Sequence, residues 1–80
     1  MKYRSRTEIT AQILETAIGG STQTRIMYKA YLSYAQLKEY LALLISNKLL
    51  HYDAKTLKYT TTDKGKRFMQ VYTQMGEMRA

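Results

Sequence analysis

The sequence predicts a mainly α fold with one small β-hairpin, its elements ordered α-α-α-β-β-α. Three observations predict it. Capping residues recur ahead of apolar stripes at helical spacing, most clearly Ser5 with Glu8 and Ser33 with Gln36, the Ser-x-x-Glu/Gln pattern of a capping box. Two short runs rich in Leu, Tyr and Thr, 49–53 and 57–61, flank Ala54-Lys55-Thr56 as in a hairpin. Proline is absent and the four glycines are confined to Gly19, Gly20, Gly65 and Gly76, so long stretches are free to be helical.

The first helix begins at Ser5 or Thr7. Ile9, Ile13, Leu14, Ala17 and Ile18 give it one apolar stripe, and Gly19-Gly20 ends it through a left-handed turn. Ser21 or Thr22 caps a short second helix reaching Ala30, with Ile26, Met27 and Ala30 facing inward. Tyr31-Leu32 is the turn. The third helix runs from Ser33 to about Ser46. Leu37, Leu41, Leu44 and Ile45 share its inner face, whereas Ala35, Gln36, Glu39, Ala42 and Leu43 point away. Lys38 and Tyr40 fall on opposite flanks, and the projection brings Tyr34 nearer the core face. Asn47 tolerates the left-handed backbone that ends this helix. After the hairpin, Thr62 caps a last helix with Asp63 in its first turn. Phe68, Val71, Tyr72, Met75 and Met78 form its stripe.

Eighty residues predict one domain, 1–80, with a basic arm at 1–5, a core at 6–62 and a last helix at 63–80. A chain this small buries too little surface to be robust alone. It contains no cysteine, so neither a disulfide nor a thiolate metal site assists it. Association with a second copy is the remaining stabiliser. No apolar run approaches the ~18 residues of a membrane span. The start, MKYRSRTE, lacks the apolar centre of a signal peptide. A cytoplasmic location and no membrane partner are therefore expected.

The second and third helices form a helix-turn-helix, and the hairpin behind them makes the arrangement a winged helix. Thirteen Lys and Arg against six Asp and Glu leave a net charge of +7, which points to a polyanionic partner. Double-stranded DNA is the expected one, with the third helix in the major groove. Ser33, Tyr34, Gln36 and Lys38 occupy its first turns, where base edges and phosphates are met. Gln36 suits adenine, and Ser33 or Tyr34 suits a phosphate; alternatively Ser33 and Gln36 only cap the helix and Tyr34 packs inward. Glu39 is awkward beside a phosphate backbone, and no arginine lies on this helix, so sequence preference is expected to be weak. Arg25 and Lys29 on the second helix, and Lys55 and Lys58 on the wing, are expected at phosphates. Lys2, Arg4 and Arg6 form an arm suited to the minor groove. Lys64, Lys66 and Arg67 add a basic cluster at the start of the last helix.

The chain resembles the small archaeal winged-helix proteins, including the dimeric ten-kilodalton proteins of crenarchaeal chromatin. The matching segments are RSRTEITAQILETA, TQTRIMYKAYLSYAQLKEYLALLISNKLL and YTTTDKGKRFMQVY. The resemblance implies duplex-DNA binding and a homodimer formed through the helix after the wing. Lys48 stands where this family commonly has glycine, and the last helix is shorter than in its longer dimeric members. On this reading Phe68, Val71, Tyr72, Met75 and Met78 form the dimer interface, and the protein is a transcription regulator or nucleoid-associated protein. A winged helix that contacts other proteins is the second reading, with Glu39 and Leu43 in the contact.

Eight tyrosines also raise RNA or single-strand binding, but two short strands offer little stacking surface. Tyr28, Tyr40, Tyr52, Tyr59 and Tyr72 read instead as core-edge residues. No enzymatic pattern is present. His51 is the sole histidine, Glu8 and Glu15 stand about 10 Å apart along their helix, and no phosphate-binding glycine loop exists. No cofactor or metal is expected.

Overall fold

The computed structural model describes residues 5–78, with side chains through residue 71. Expectations for Lys2 and Arg4, and for the side chains of Tyr72, Met75 and Met78, lie outside the described residues. The elements are α1 (Arg6–Thr16), β1 (Ser21–Thr22), α2 (Gln23–Ala30), α3 (Tyr34–Ser46), β2 (Leu50–Asp53), β3 (Lys58–Thr61) and α4 (Asp63–Met78). This is the helix-turn-helix with a wing that the sequence predicts, and one element more.

Both capping boxes form. The Ser5 hydroxyl accepts the Glu8 amide at 3.0 Å while Glu8 Oε1 accepts the Ser5 amide at 2.9 Å. Ser33 and Gln36 do the same at 3.2 and 3.1 Å. Thr22 starts α2 by accepting the Arg25 amide at 3.3 Å. Each such cap contributes about 1 kcal/mol. They fix where the helices begin, and hence which residues stand at the front of α3.

The core is one cluster. Ile13, Leu14 and Ala17 meet Ile26 and Ala30 of α2, Leu37, Leu41 and Leu44 of α3, and Leu50 of β2. Ile9, Met27, Tyr40, Tyr59, Phe68 and Met69 close its edges. Two expected core residues are outside it. Ile18 is 48% exposed, because α1 is capped at Ala17 and Gly19 turns the chain away at φ 81°. Ile45 is exposed at the rim of its stripe in the last turn of α3. Tyr28, expected at the core edge, is also exposed.

The added element is β1. The sheet has three strands in the order β1-β3-β2, all antiparallel. Ser21 pairs with Tyr59 and Thr22 with Lys58. Two residues are too few to show alternation, so no strand pattern marks them. Gly20 precedes them at φ 101°, a backbone that excludes side chains, and the methylene stem of Lys58 lies across it.

The left-handed stop after α3 falls on Lys48 at φ 63°, not on Asn47 at φ −89°. The amides of Leu49 and Lys48 donate to the carbonyls of Leu44 at 2.8 Å and Ile45 at 3.0 Å, the paired bonds of a Schellman motif. Tyr31 closes α2 in the same way at φ 55°. A side chain in this conformation costs about 1 kcal/mol relative to glycine.

Thr62 joins the base of the hairpin to α4. Its hydroxyl donates to the Lys48 carbonyl at 2.7 Å and accepts the Gly65 amide at 3.1 Å, while its own amide reaches the Leu49 carbonyl at 3.1 Å. Gly65 is needed for this approach. A Cβ there would stand 2.5 Å from the Leu49 carbonyl oxygen and 2.7 Å from Thr61 Cγ2. Glycine three residues after Thr62 thus has a steric cause.

Candidate nucleic-acid interface

Once Ser33 is fixed as the cap, Leu37, Leu41 and Leu44 rotate inward and the opposite face of α3 is left to solvent. Ser33, Tyr34, Ala35, Gln36, Lys38, Glu39, Ala42 and Leu43 are all exposed. Tyr34 does not turn toward the core. As the first helical residue it projects past the core edge, 57% exposed. The Lys38 ammonium lies 5.4 Å from the centroid of its ring, a cation–π pair one turn along the same helix.

The capping box changes what Gln36 and Ser33 have to offer. Gln36 Oε1 is engaged by the Ser33 amide, so Nε2 is the group left to donate outward. A bidentate contact to adenine needs both ends of the amide and therefore opening of the cap. The Ser33 oxygen accepts the Gln36 amide, and its hydroxyl proton points elsewhere.

Arg6 and Lys64 reach this helix from α1 and α4, and further exposed cations lie on α2 and the wing. Arg6 is the first residue of α1 rather than part of a free arm, and its guanidinium lies 6.0 Å from the centre of the Tyr40 ring. The two flanks of α3 thus each carry a cation over a tyrosine, Lys38 on one and Arg6 on the other. Arg25 and Lys29 are exposed in the first and last turns of α2. The Lys29 carbonyl accepts a bond from Gln12 Nε2 at 2.9 Å, which ties the end of α2 to α1. Lys58 pairs with Thr22 across the sheet, directly before α2, and Lys55 lies in the wing turn, its amide held by Asp53 Oδ1 at 2.9 Å. Lys64 is drawn to the other end of α3, where its ammonium donates to the Asn47 carbonyl at 3.0 Å.

Between the front of α3 and the wing lies a tyrosine group that the sequence reading scattered. Tyr52 and Tyr59 face each other across the hairpin, ring centroids 4.6 Å apart and tilted by 40°. Burial, and then the neighbouring phenols of Tyr52 and Tyr34, push the Tyr59 phenol above its ordinary value of 10.0. Tertiary pairing is what assembles this group, and no linear spacing signals it. Tyr31, 81% exposed in the turn before α3, is the other residue the sequence did not single out.

A family model described as winged helix-turn-helix matches residues 3–80. The chain belongs to the winged helix-turn-helix family. Among solved structures, this winged-helix chain is similar to Sso10a-2, a DNA-binding protein from Sulfolobus solfataricus, with a TM-score of 0.85 and 26% sequence identity. The match covers 95% of this chain and 82% of the other. No curated protein sequence matches it. The fold and the resemblance to small archaeal winged-helix proteins are thereby borne out. Among the described residues, no helix is long and apolar enough to cross a membrane, and no group of three or more His, Cys, Asp or Glu side chains is placed to hold a metal ion.

Proposed function

We propose that this winged helix-turn-helix protein binds double-stranded DNA, with α3 in the major groove and the wing on the adjoining backbone. The observation that carries this reading is the exposed front of α3, with a cation over a tyrosine on each flank, in a chain of net charge +7 whose α2 and wing carry further exposed cations. The similarity to a DNA-binding protein of the same fold supports it. Ser33 and Tyr34 donate to phosphate beside the positive end of the α3 dipole, and Gln36 and Lys38 face the base edges. Arg25, Lys29, Lys55 and Lys58 neutralise phosphates, and Arg4 and Arg6 extend the contact at the N-terminal end. Because phosphate contacts outnumber base-reading groups, affinity is high relative to specificity, as suits a nucleoid-associated protein or a regulator of broad preference.

The protein acts as a homodimer in the cytoplasm. Beside Asn47 and Leu49, the α4 residues Lys64, Arg67, Phe68 and Val71 line a shallow, mainly apolar groove, and Val71 is exposed there. A second copy of α4 covers it, which gives two recognition helices related by a twofold axis. Sedimentation equilibrium checks the dimer.

Gel-shift titration of a random-sequence duplex across a range of salt concentrations tests the function. Log affinity is expected to fall steeply and linearly with log salt. Lys55→Ala with Lys58→Ala is expected to weaken binding to all sequences alike and to reduce the slope by about 1.8. A flat salt response defeats the proposal. Exposed Leu43 and Glu39 favour the protein-contact reading in that case.

A further inference from the structure

The wing turn spans residues 54–57, closed by the Leu57 amide donating to the Asp53 carbonyl at 2.7 Å. Its last position has φ 59°, the left-handed region, and Leu57 occupies it. Glycine or asparagine sits in that conformation with little strain, whereas a residue with a branched carbon side chain is disfavoured. Leu57 is nevertheless 62% exposed, so it contributes little to the core in return. An exposed leucine alone is ordinary. An exposed leucine on backbone that resists it, at the tip of the hairpin, is not. Tyr31 and Lys48 share the left-handed conformation, but each side chain ends in a polar group. Leu57 is apolar to its tip.

The surroundings specify what it meets. Lys55 stands two residues before Leu57 and Lys58 directly after it, both exposed. Strands of four residues, at about 3.3 Å per residue, carry this tip about 13 Å from the hairpin base. On the proposed docking, with α3 in the major groove and the wing on the adjoining backbone, the groove next to the wing is the minor groove, which is about 6 Å wide. Two ammonium groups flanking one aliphatic side chain fit such a groove, with the amines on phosphate and the leucine against the floor. Apolar wedges of this size partly unstack base steps and bend the duplex.

We infer that Leu57 is an apolar minor-groove contact that bends duplex DNA, presented by the strained wing turn between Lys55 and Lys58. This rests on the proposed duplex binding. Leu57→Asn removes the wedge while suiting the left-handed backbone, so it is expected to melt at the same temperature as the parent or higher. Against a mixed-sequence duplex containing TA steps and labelled at both ends, it is expected to bind about tenfold more weakly. Its salt slope is expected to stay unchanged, because no charge is lost. The end-to-end energy transfer that reports bending is expected to fall, and Leu57→Phe to restore it. Equal affinity and equal bending by Leu57→Asn and the parent overturn the inference while leaving duplex binding intact. A shift in oligomeric state with unchanged bending overturns it also and makes Leu57 a subunit contact. A parent that shows no salt-dependent duplex binding removes both this inference and the reading beneath it.

Discussion

At the base of the hairpin, Leu50 and Thr61 oppose each other and are both buried, whereas residues 54–57 at its tip are all exposed. The base is held from several sides. The Thr61 hydroxyl donates to the Leu14 carbonyl, its amide donates to the Ala17 carbonyl at 3.1 Å, and Thr62 is bonded to Lys48 and Leu49. The tip is closed on Asp53, whose carbonyl accepts the Leu57 amide and whose carboxylate accepts the Lys55 amide, and it bears a left-handed leucine. Eight paired residues separate a base whose opposed Leu50 and Thr61 are buried from a tip whose side chains are exposed. Exposed apolar and cationic groups at the tip are therefore available to another molecule.

The largest test of this contrast is Leu50→Ala against Thr56→Ala. The first opens a cavity and is expected to cost about 2–5 kcal/mol in denaturant unfolding, and the second to stay within about 0.5 kcal/mol of the parent. Equal losses would break the distinction between base and tip. Gly65→Ala comes next. Alanine in place of glycine inside a helix ordinarily gains up to about 1 kcal/mol. Here the sign is expected to reverse, with a loss of about 1–3 kcal/mol by thermal melting, because the Cβ meets a carbonyl already fixed by the Thr62 amide. A variant as stable as the parent would mean that the corner is looser than its hydrogen bonds imply.

The smallest effect lies midway along the hairpin, at Tyr59. Its folded-state pKa is raised by burial and by the phenols of Tyr52 and Tyr34. The folded chain therefore holds the phenol proton more tightly than the unfolded chain. This contribution to stability is complete below the unfolded value near 10.0 and is lost as pH rises from there through the raised folded value. Unfolding midpoints measured between about pH 9 and 11 should fall, and Tyr59→Phe should fall less. Identical slopes would show that the ring edge is already as wet as the tip.

What was legible in the sequence follows the same division. Ser5 with Glu8 and Ser33 with Gln36 announced two helix starts because a cap is a local hydrogen-bonding event, complete within four residues. Leu37, Leu41 and Leu44 were legible because periodicity reports one buried face. Ile18 and Ile45 were misplaced because periodicity does not report where a helix ends or where a neighbour stops covering it. Residue preference puts the left-handed stop at Asn47, but the bond from Leu49 to Leu44 sets it one residue later. β1 and the approach of Tyr34 to Tyr59 were invisible because each joins residues more than twenty positions apart, and the facing of Tyr52 and Tyr59 depends on a hairpin register that the turn residues do not fix. The candidate interface was legible as charge and exposure, and the capping duty of Gln36 as local spacing, whereas the seating of Arg6 on Tyr40 required coordinates.

β1, only two residues long, governs how the molecule can move. Its pairing of Ser21 with Tyr59 and Thr22 with Lys58 fastens the wing to the residue that caps α2. A hairpin rooted at one end would sample many angles relative to α3, and a ligand spanning both would have to freeze that motion. The short strand acts as a strut. It sets the angle before any encounter, so the conformational entropy of aligning wing and helix is spent during folding and is not charged to binding.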